Sequence, residues 1–140
     1  VVTVRHRAGA HSYHLLPGGG VAYGEALADA LVREVAEETG LRIEVGAPLL
    51  LSDTIAPDGG RHVVNVTFAA DVTGGAVTDR PDDPRVEGVD LVALERLTEL
   101  DLRPPVAREL VEALSAGPDA RARYLGPRYT PEDGAHTRLT

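Results

Sequence analysis

The stretch Gly19-Gly20-Val21-Ala22-Tyr23-Gly24-Glu25 opens a segment that closes on Arg33-Glu34-Val35-Ala36-Glu37-Glu38-Thr39-Gly40-Leu41. Between the glycine-rich start and Gly40, residues 26–39 contain no Gly and no Pro and are rich in Ala, Leu and Glu, all good helix formers. Gly40 stands where a left-handed C-terminal cap is expected. At about 100° per residue, Leu27, Leu31, Val35, Ala28 and Val32 share one half of this helix. Asp29, Arg33, Glu34, Glu37 and Glu38 share the other. Glu34, Glu37 and Glu38 are spaced i, i+3 and i+4, so their carboxylates can converge.

Convergence of that kind is unfavourable by itself. Like charges one turn apart repel, and the C-terminal end of a helix disfavours negative charge. The glutamates alone favour a solvated acidic face. As a ligand set they are hard oxygen donors suited to a divalent cation beside phosphate oxygens.

The full spacing adds to this. Gly19, Glu25, Arg33, Glu34, Val35, Glu37, Glu38, Gly40 and Leu41 meet every fixed position of the pattern G-x5-E-x7-R-E-U-x-E-E-x-G-U, where U is apolar. The segment resembles the Nudix box of the Nudix hydrolases. A looser likeness runs upstream through Leu16-Pro17-Gly18-Gly19-Gly20 and downstream to about Leu97. The resemblance implies an α/β fold, a Nudix-type α/β/α sandwich with a mixed β-sheet. It implies Glu34, Glu37 and Glu38 as metal-binding carboxylates for Mg²⁺ or Mn²⁺, with the Gly19 carbonyl as a further ligand. Arg33 matches the arginine that pairs with the first glutamate of the box, here Glu25, and orients the catalytic glutamates.

The implied activity is hydrolysis of the pyrophosphate bond of a nucleoside diphosphate linked to another moiety. Pro57, 16 residues past Leu41, matches a proline of ADP-ribose-type members and is equally a turn residue beside Asp58-Gly59. A nucleoside triphosphate pyrophosphatase and a non-catalytic nucleotide sensor are the alternatives. Retention of every box glutamate argues against the sensor. Family members often carry an acidic general base on a late loop or strand. Asp82, Asp83 and Glu87 are the candidates, with Glu87 preferred. Candidate substrate contacts are Gly18, Gly19 and Gly20 in the loop and Arg5 and Arg7 on the first strand. Where Trp is common in the family, His14 stands before Pro17 and Leu91 stands in the late strand. A homodimer is also expected from the family.

Composition narrows the classes. The chain has 140 residues and a formal net charge of -8, enough for one domain with a real core. No basic run or aromatic-basic patch is present, so nucleic acid is not an expected partner. All 14 Lys-or-Arg positions are Arg. There is no Cys, which excludes a disulfide framework and thiolate metal sites. No segment is apolar enough to span a membrane and no signal peptide is evident, so a cytoplasmic location is expected. His6, His11, His14 and His62 lack metal-ligand spacing and read as structural or surface residues.

Taken in order, residues 1–7 read as a strand, 8–11 as a turn and 12–16 as a strand. After the helix, residues 41–53 hold one or two strands interrupted near Gly46-Ala47-Pro48. Pro57-Asp58-Gly59-Gly60 reads as a turn, 61–71 as a strand, and Thr73-Gly74-Gly75 as a second turn. Residues 79–84 form a charged, proline-rich loop, 86–94 a strand and 95–100 a short turn or helix. Pro104 and Pro105 set up a helix through Ser115. The expected organisation is one domain over residues 1–116. A C-terminal tail, 117–140, is expected to be loosely ordered or packed on it.

Overall fold

The computed structural model of the protein describes residues 1–78 and 83–129. Two hairpin-forming strands, β1 (Val2–Ala8) and β2 (His11–Leu15), precede helix α1 (Leu27–Thr39). Strands β3 (Leu41–Ile55), β4 (His62–Gly75) and β5 (Val86–Leu91) follow. A 3₁₀ turn (Leu94–Glu99), helix α2 (Ala107–Ser115) and strand β6 (Arg123–Pro127) complete the α/β architecture.

Among the described residues, the strands divide into two sheets. One has the order β2-β1-β5 and is antiparallel throughout. The other has the order β4-β3-β6 and is mixed, since β3 runs antiparallel to β4 and parallel to β6. The segment after residue 117 therefore contributes a strand, and the Tyr124 hydroxyl donates to Asp53 on β3.

The box helix ends as its sequence requires. Gly40 adopts φ 77° and its N–H bonds the Ala36 carbonyl. A Cβ there would stand 2.4 Å from the Ala76 carbonyl oxygen. Glycine thus serves both the left-handed cap and a close backbone approach. Thr39 is fully buried; its hydroxyl donates to the Val35 carbonyl at 2.6 Å and accepts from the Leu41 N–H at 3.1 Å. This hydroxyl carries the chain out of α1 directly into β3.

Two strand boundaries differ from the sequence expectation. Residues 41–55 form one strand, and the irregularity at Gly46-Ala47-Pro48 is absorbed as register shifts between Val45 and Pro48. Proline without an N–H is tolerated at such a bulge. Thr73-Gly74-Gly75 is not a turn: β4 continues through it, paired with Leu41 and Arg42. The two glycines serve proximity. The Arg42 guanidinium occupies the place of a Cβ on Gly74, and the Gly40 carbonyl that of one on Gly75.

α1 packs on β3, while α2 packs on β3 and the 3₁₀ turn. The main core gathers Leu49 and Leu50 of β3, Leu97, Leu102 and Val106, and Leu110 and Ala113 of α2. Leu50 is only 1% exposed. Leu50→Ala is expected to cost about 2–5 kcal/mol of stability through lost burial and a residual cavity. A denaturant titration reads this as a lower midpoint at unchanged slope.

Candidate active site

The fold brings the glycine loop against the second half of α1. Its centre is Arg33. Its Nε and one terminal nitrogen donate to the two Glu25 carboxylate oxygens at 2.9 and 3.0 Å. Its other terminal nitrogen donates to Glu34 at 2.7 Å, and the guanidinium also bonds the Gly20 carbonyl at 3.1 Å. Glu37 lies 3.6 Å from the same cation. A planar fork with several fixed donors can bridge carboxylates in this way, whereas a Lys ammonium cannot.

Glu25 sits at the close of the turn that begins at Ala22, and its carboxylate accepts the Ala22 N–H at 2.9 Å. Arg33 and this amide hold the Glu25 carboxyl at about 2, far below the usual 4.5. Glu25 and Glu34 in turn raise Arg33 above its already high value. The helix face and the loop are thus fastened by one buttressed ion pair.

Glu34 and Gly19 are in intimate contact. A Cβ on Gly19 would lie 2.3–2.5 Å from the Glu34 carboxyl group. Only glycine lets the loop backbone close over that carboxylate. Glu38 accepts the Gly18 N–H at 2.9 Å. Burial pushes the Glu38 carboxyl up, and the charges of Glu34 and Asp83 push the same way, against the pull of Gly18 and Arg85. Glu37 is the most exposed of the three, with half its side chain in solvent.

These residues fit a divalent cation in two respects: all donors are oxygens, and the loop backbone at Gly19 abuts Glu34 with no side chain between. With Arg33 and Gly18 engaging the carboxylates, the described side chains do not gather three acids or imidazoles into a closed ligand set.

The remaining candidates fall elsewhere. Arg5 is engaged by Asp90 through two bonds at 2.7 and 2.9 Å. Arg7 is paired with Glu87. Glu87 also accepts the Ser12 hydroxyl at 3.0 Å, and these contacts hold its carboxyl low. No described contact joins Glu87 to the box glutamates; it fastens β1 and β2 to β5. Asp82 lies outside the described residues. Asp83 does reach the electrostatic field of Glu38, and Arg85 holds its carboxyl at about 2.

Sequence reasoning passed over two neighbours of this site. Arg85 chelates Asp83 across an Asx-type turn at 2.6–3.1 Å. His6 is 5% exposed, packs on Tyr13 at 5.6 Å between ring centroids, and has its basicity lowered by burial. The alternation of β1 could have placed His6 inside with Val4. Nothing local in sequence points to its neighbours. His14, the position that departs from the family's Trp, turns its Nδ1 to the Thr3 hydroxyl at 3.1 Å.

The chain as a whole is similar to known proteins. The family model described as NUDIX domain matches residues 1–114. An ADP-ribose pyrophosphatase of Methanocaldococcus jannaschii is 39% identical over 82 residues, which is 59% of this chain and 48% of that protein. The chain thus spans about half the length of that relative. The solved structure of a MutT NUDIX hydrolase from Burkholderia pseudomallei is 30% identical, covers 81% of this chain and 86% of its own, and superposes with a TM-score of 0.60. A NUDIX hydrolase from Nitrosomonas europaea is 21% identical, covers 96% of this chain and 89% of its own, and has a TM-score of 0.69. At that identity the likeness is one of fold.

The Glu25–Arg33 pair makes a titration prediction. The depressed Glu25 value means stability that is present above pH 4.5 and is lost as pH falls towards about 2. In Arg33→Gln the Glu25 carboxyl should titrate well above about 2, yet still below 4.5 because the Ala22 N–H remains bonded to it. Carboxyl ¹³C NMR across pH 1.5–7, roughly the range in which carboxylates titrate, reads both values directly.

Proposed function

The chain belongs to the NUDIX family, and from that premise we propose that it hydrolyses the pyrophosphate bond of a nucleoside diphosphate joined to another moiety. ADP-ribose is the first candidate substrate. The observation that carries this reading is the Arg33 fork, which ties Glu25, Glu34 and the Gly20 carbonyl into one rigid unit. The ADP-ribose pyrophosphatase of Methanocaldococcus jannaschii supports the substrate.

In this reading Glu34, Glu37, Glu38 and the Gly19 carbonyl would hold Mg²⁺ or Mn²⁺, which would supply charge neutralisation at the diphosphate and a more acidic water. Arg33 keeps Glu34 against the loop, so that its carboxylate does not wander among rotamers. Gly18 orients Glu38 through its N–H. Glu38, held in place by the Gly18 N–H, takes the proton of the attacking water in this reading. Asp83 replaces Glu87 as the acidic group outside the box that approaches this carboxylate. Arg5 and Arg7, each neutralised by its own acid, contact substrate only by exchanging partners. A homodimer and a cytoplasmic location belong to the same proposal, and are read by sedimentation and by cell fractionation.

The experiment is turnover of ADP-ribose with Mg²⁺ or Mn²⁺, followed by chromatography of AMP and ribose 5-phosphate. Glu38→Gln should lower kcat by about 10²–10⁴-fold, the range for loss of a general base. Release of pyrophosphate from nucleoside triphosphates, with ADP-ribose untouched, would move the assignment to triphosphates. Tight nucleotide binding without product would make the protein a sensor.

Gly19→Ala separates position from fold. The added Cβ meets only the flexible end of Glu34, so thermal stability should change little. Displacement of that carboxylate should lower kcat by about tenfold or more.

A further inference from the structure

His6 stands where β1 and β5 meet the approach to the box. By alternation it shares a face of β1 with Val2 and Val4, and it is buried like Val4. It opposes Tyr13 on β2 and Val86 on β5. The second pairing is irregular. Arg5 pairs with Gly88 and His6 with Val86, so Glu87 is passed over. A bulge of this kind re-aims side chains. Here it sends Glu87 out to Arg7 and Ser12 and turns Val86 inward to a buried position opposite His6. The turn just before Val86 is thereby brought to the His6 face. Asp83 belongs to that turn, and its carbonyl accepts the Val86 N–H at 3.0 Å.

The same turn reaches the end of α1. The charge of Asp83 acts on both His6 and Glu38, and Arg85 interacts with both Tyr13 and Glu38. The turn therefore lies between the inner face of β1 and β2 and the last acid of the box. On that inner face His6 is the polar exception beside two valines. Its Nε2 is buried with no hydrogen-bond partner among the described residues. A buried nitrogen left so is costly, and an apolar side chain would fill the place without that cost. What the imidazole adds is a polar nitrogen, and the carboxylate whose charge reaches it is Asp83.

We propose that His6 is a positioning residue for the hydrolysis, a role that rests on the NUDIX reading of the box. It seats the Asp83–Arg85 turn on β1 and so holds the Asp83 carboxylate beside Glu38. His6 acts through Asp83 and touches no substrate.

His6→Phe keeps a ring against Tyr13 and removes both nitrogens. Its thermal midpoint should be equal or higher, because no polar atom is left buried. Its kcat for ADP-ribose should nevertheless fall about tenfold, with KM little changed. His6→Gln, which returns an N–H, should recover most of that loss. In an Asp83→Asn background, His6→Phe should cost nothing further. Amide hydrogen exchange reads the seating without turnover. The Arg85 and Val86 amides, bonded to Asp83 at 2.9 and 3.0 Å, should exchange about tenfold faster in His6→Phe, with β6 unchanged. His6→Leu serves if the larger ring does not fit. Unchanged exchange at both amides would overturn the proposal, as would full turnover in His6→Phe or a loss that adds in full to that of Asp83→Asn. If the unaltered chain hydrolyses no nucleotide, the proposed activity fails and the two amides alone decide whether His6 seats the turn.

Discussion

One guanidinium decides the shape of the candidate site. Glu34, Glu37 and Glu38 occupy the last turns of α1, where both mutual repulsion and the helix dipole oppose them. Arg33 lies on the same face and contacts Glu25, Glu34 and the Gly20 carbonyl at once, with Glu37 close by. Its charge offsets part of the repulsion, and its geometry fixes the loop relative to the helix. Removal of Glu25 would leave the fork without its two-bonded anchor. A side chain on Gly19 would push Glu34 out of place. The box is therefore a set of mutually dependent contacts, not a row of ligands.

The rest of the fold presents that set. Thr39 and Gly40 pass the chain from α1 into β3 with every local donor satisfied. β3 then supplies Leu49 and Leu50 to the core beneath α2. The long β3–β4 pair gives the helix a rigid support, and rigid elements hold a functional constellation better than loops do.

Much of this was legible in sequence. The helix limits followed from the absence of Gly and Pro until Gly40, and the Glu25–Arg33 pairing followed from the box resemblance. The failures have physical causes. Gly74-Gly75 carries the residues of a turn, but here the glycines make room for Arg42 and for the Gly40 carbonyl. No local pattern reports such a crossing. Arg5 and Arg7 looked free to meet phosphate because their partners lie 85 and 80 residues away on β5. The same distance hid Glu87's role: it joins strands through Arg7 and Ser12 and makes no described contact with the box. Asp83 comes near Glu38 only once β5 has paired with β1, so its place beside the site is a product of topology. The split into two sheets also depends on long-range pairing.

In the proposed function the Arg33-braced glutamates form a divalent-cation site. Titration of the protein with Mn²⁺, followed by the electron paramagnetic resonance signal of the free ion, tests it most directly. Binding should saturate, and should be lost when Glu34, Glu37 and Glu38 are all changed to glutamine, with the fold intact by circular dichroism. Equal Mn²⁺ uptake by the unaltered protein and that triple variant would contradict it.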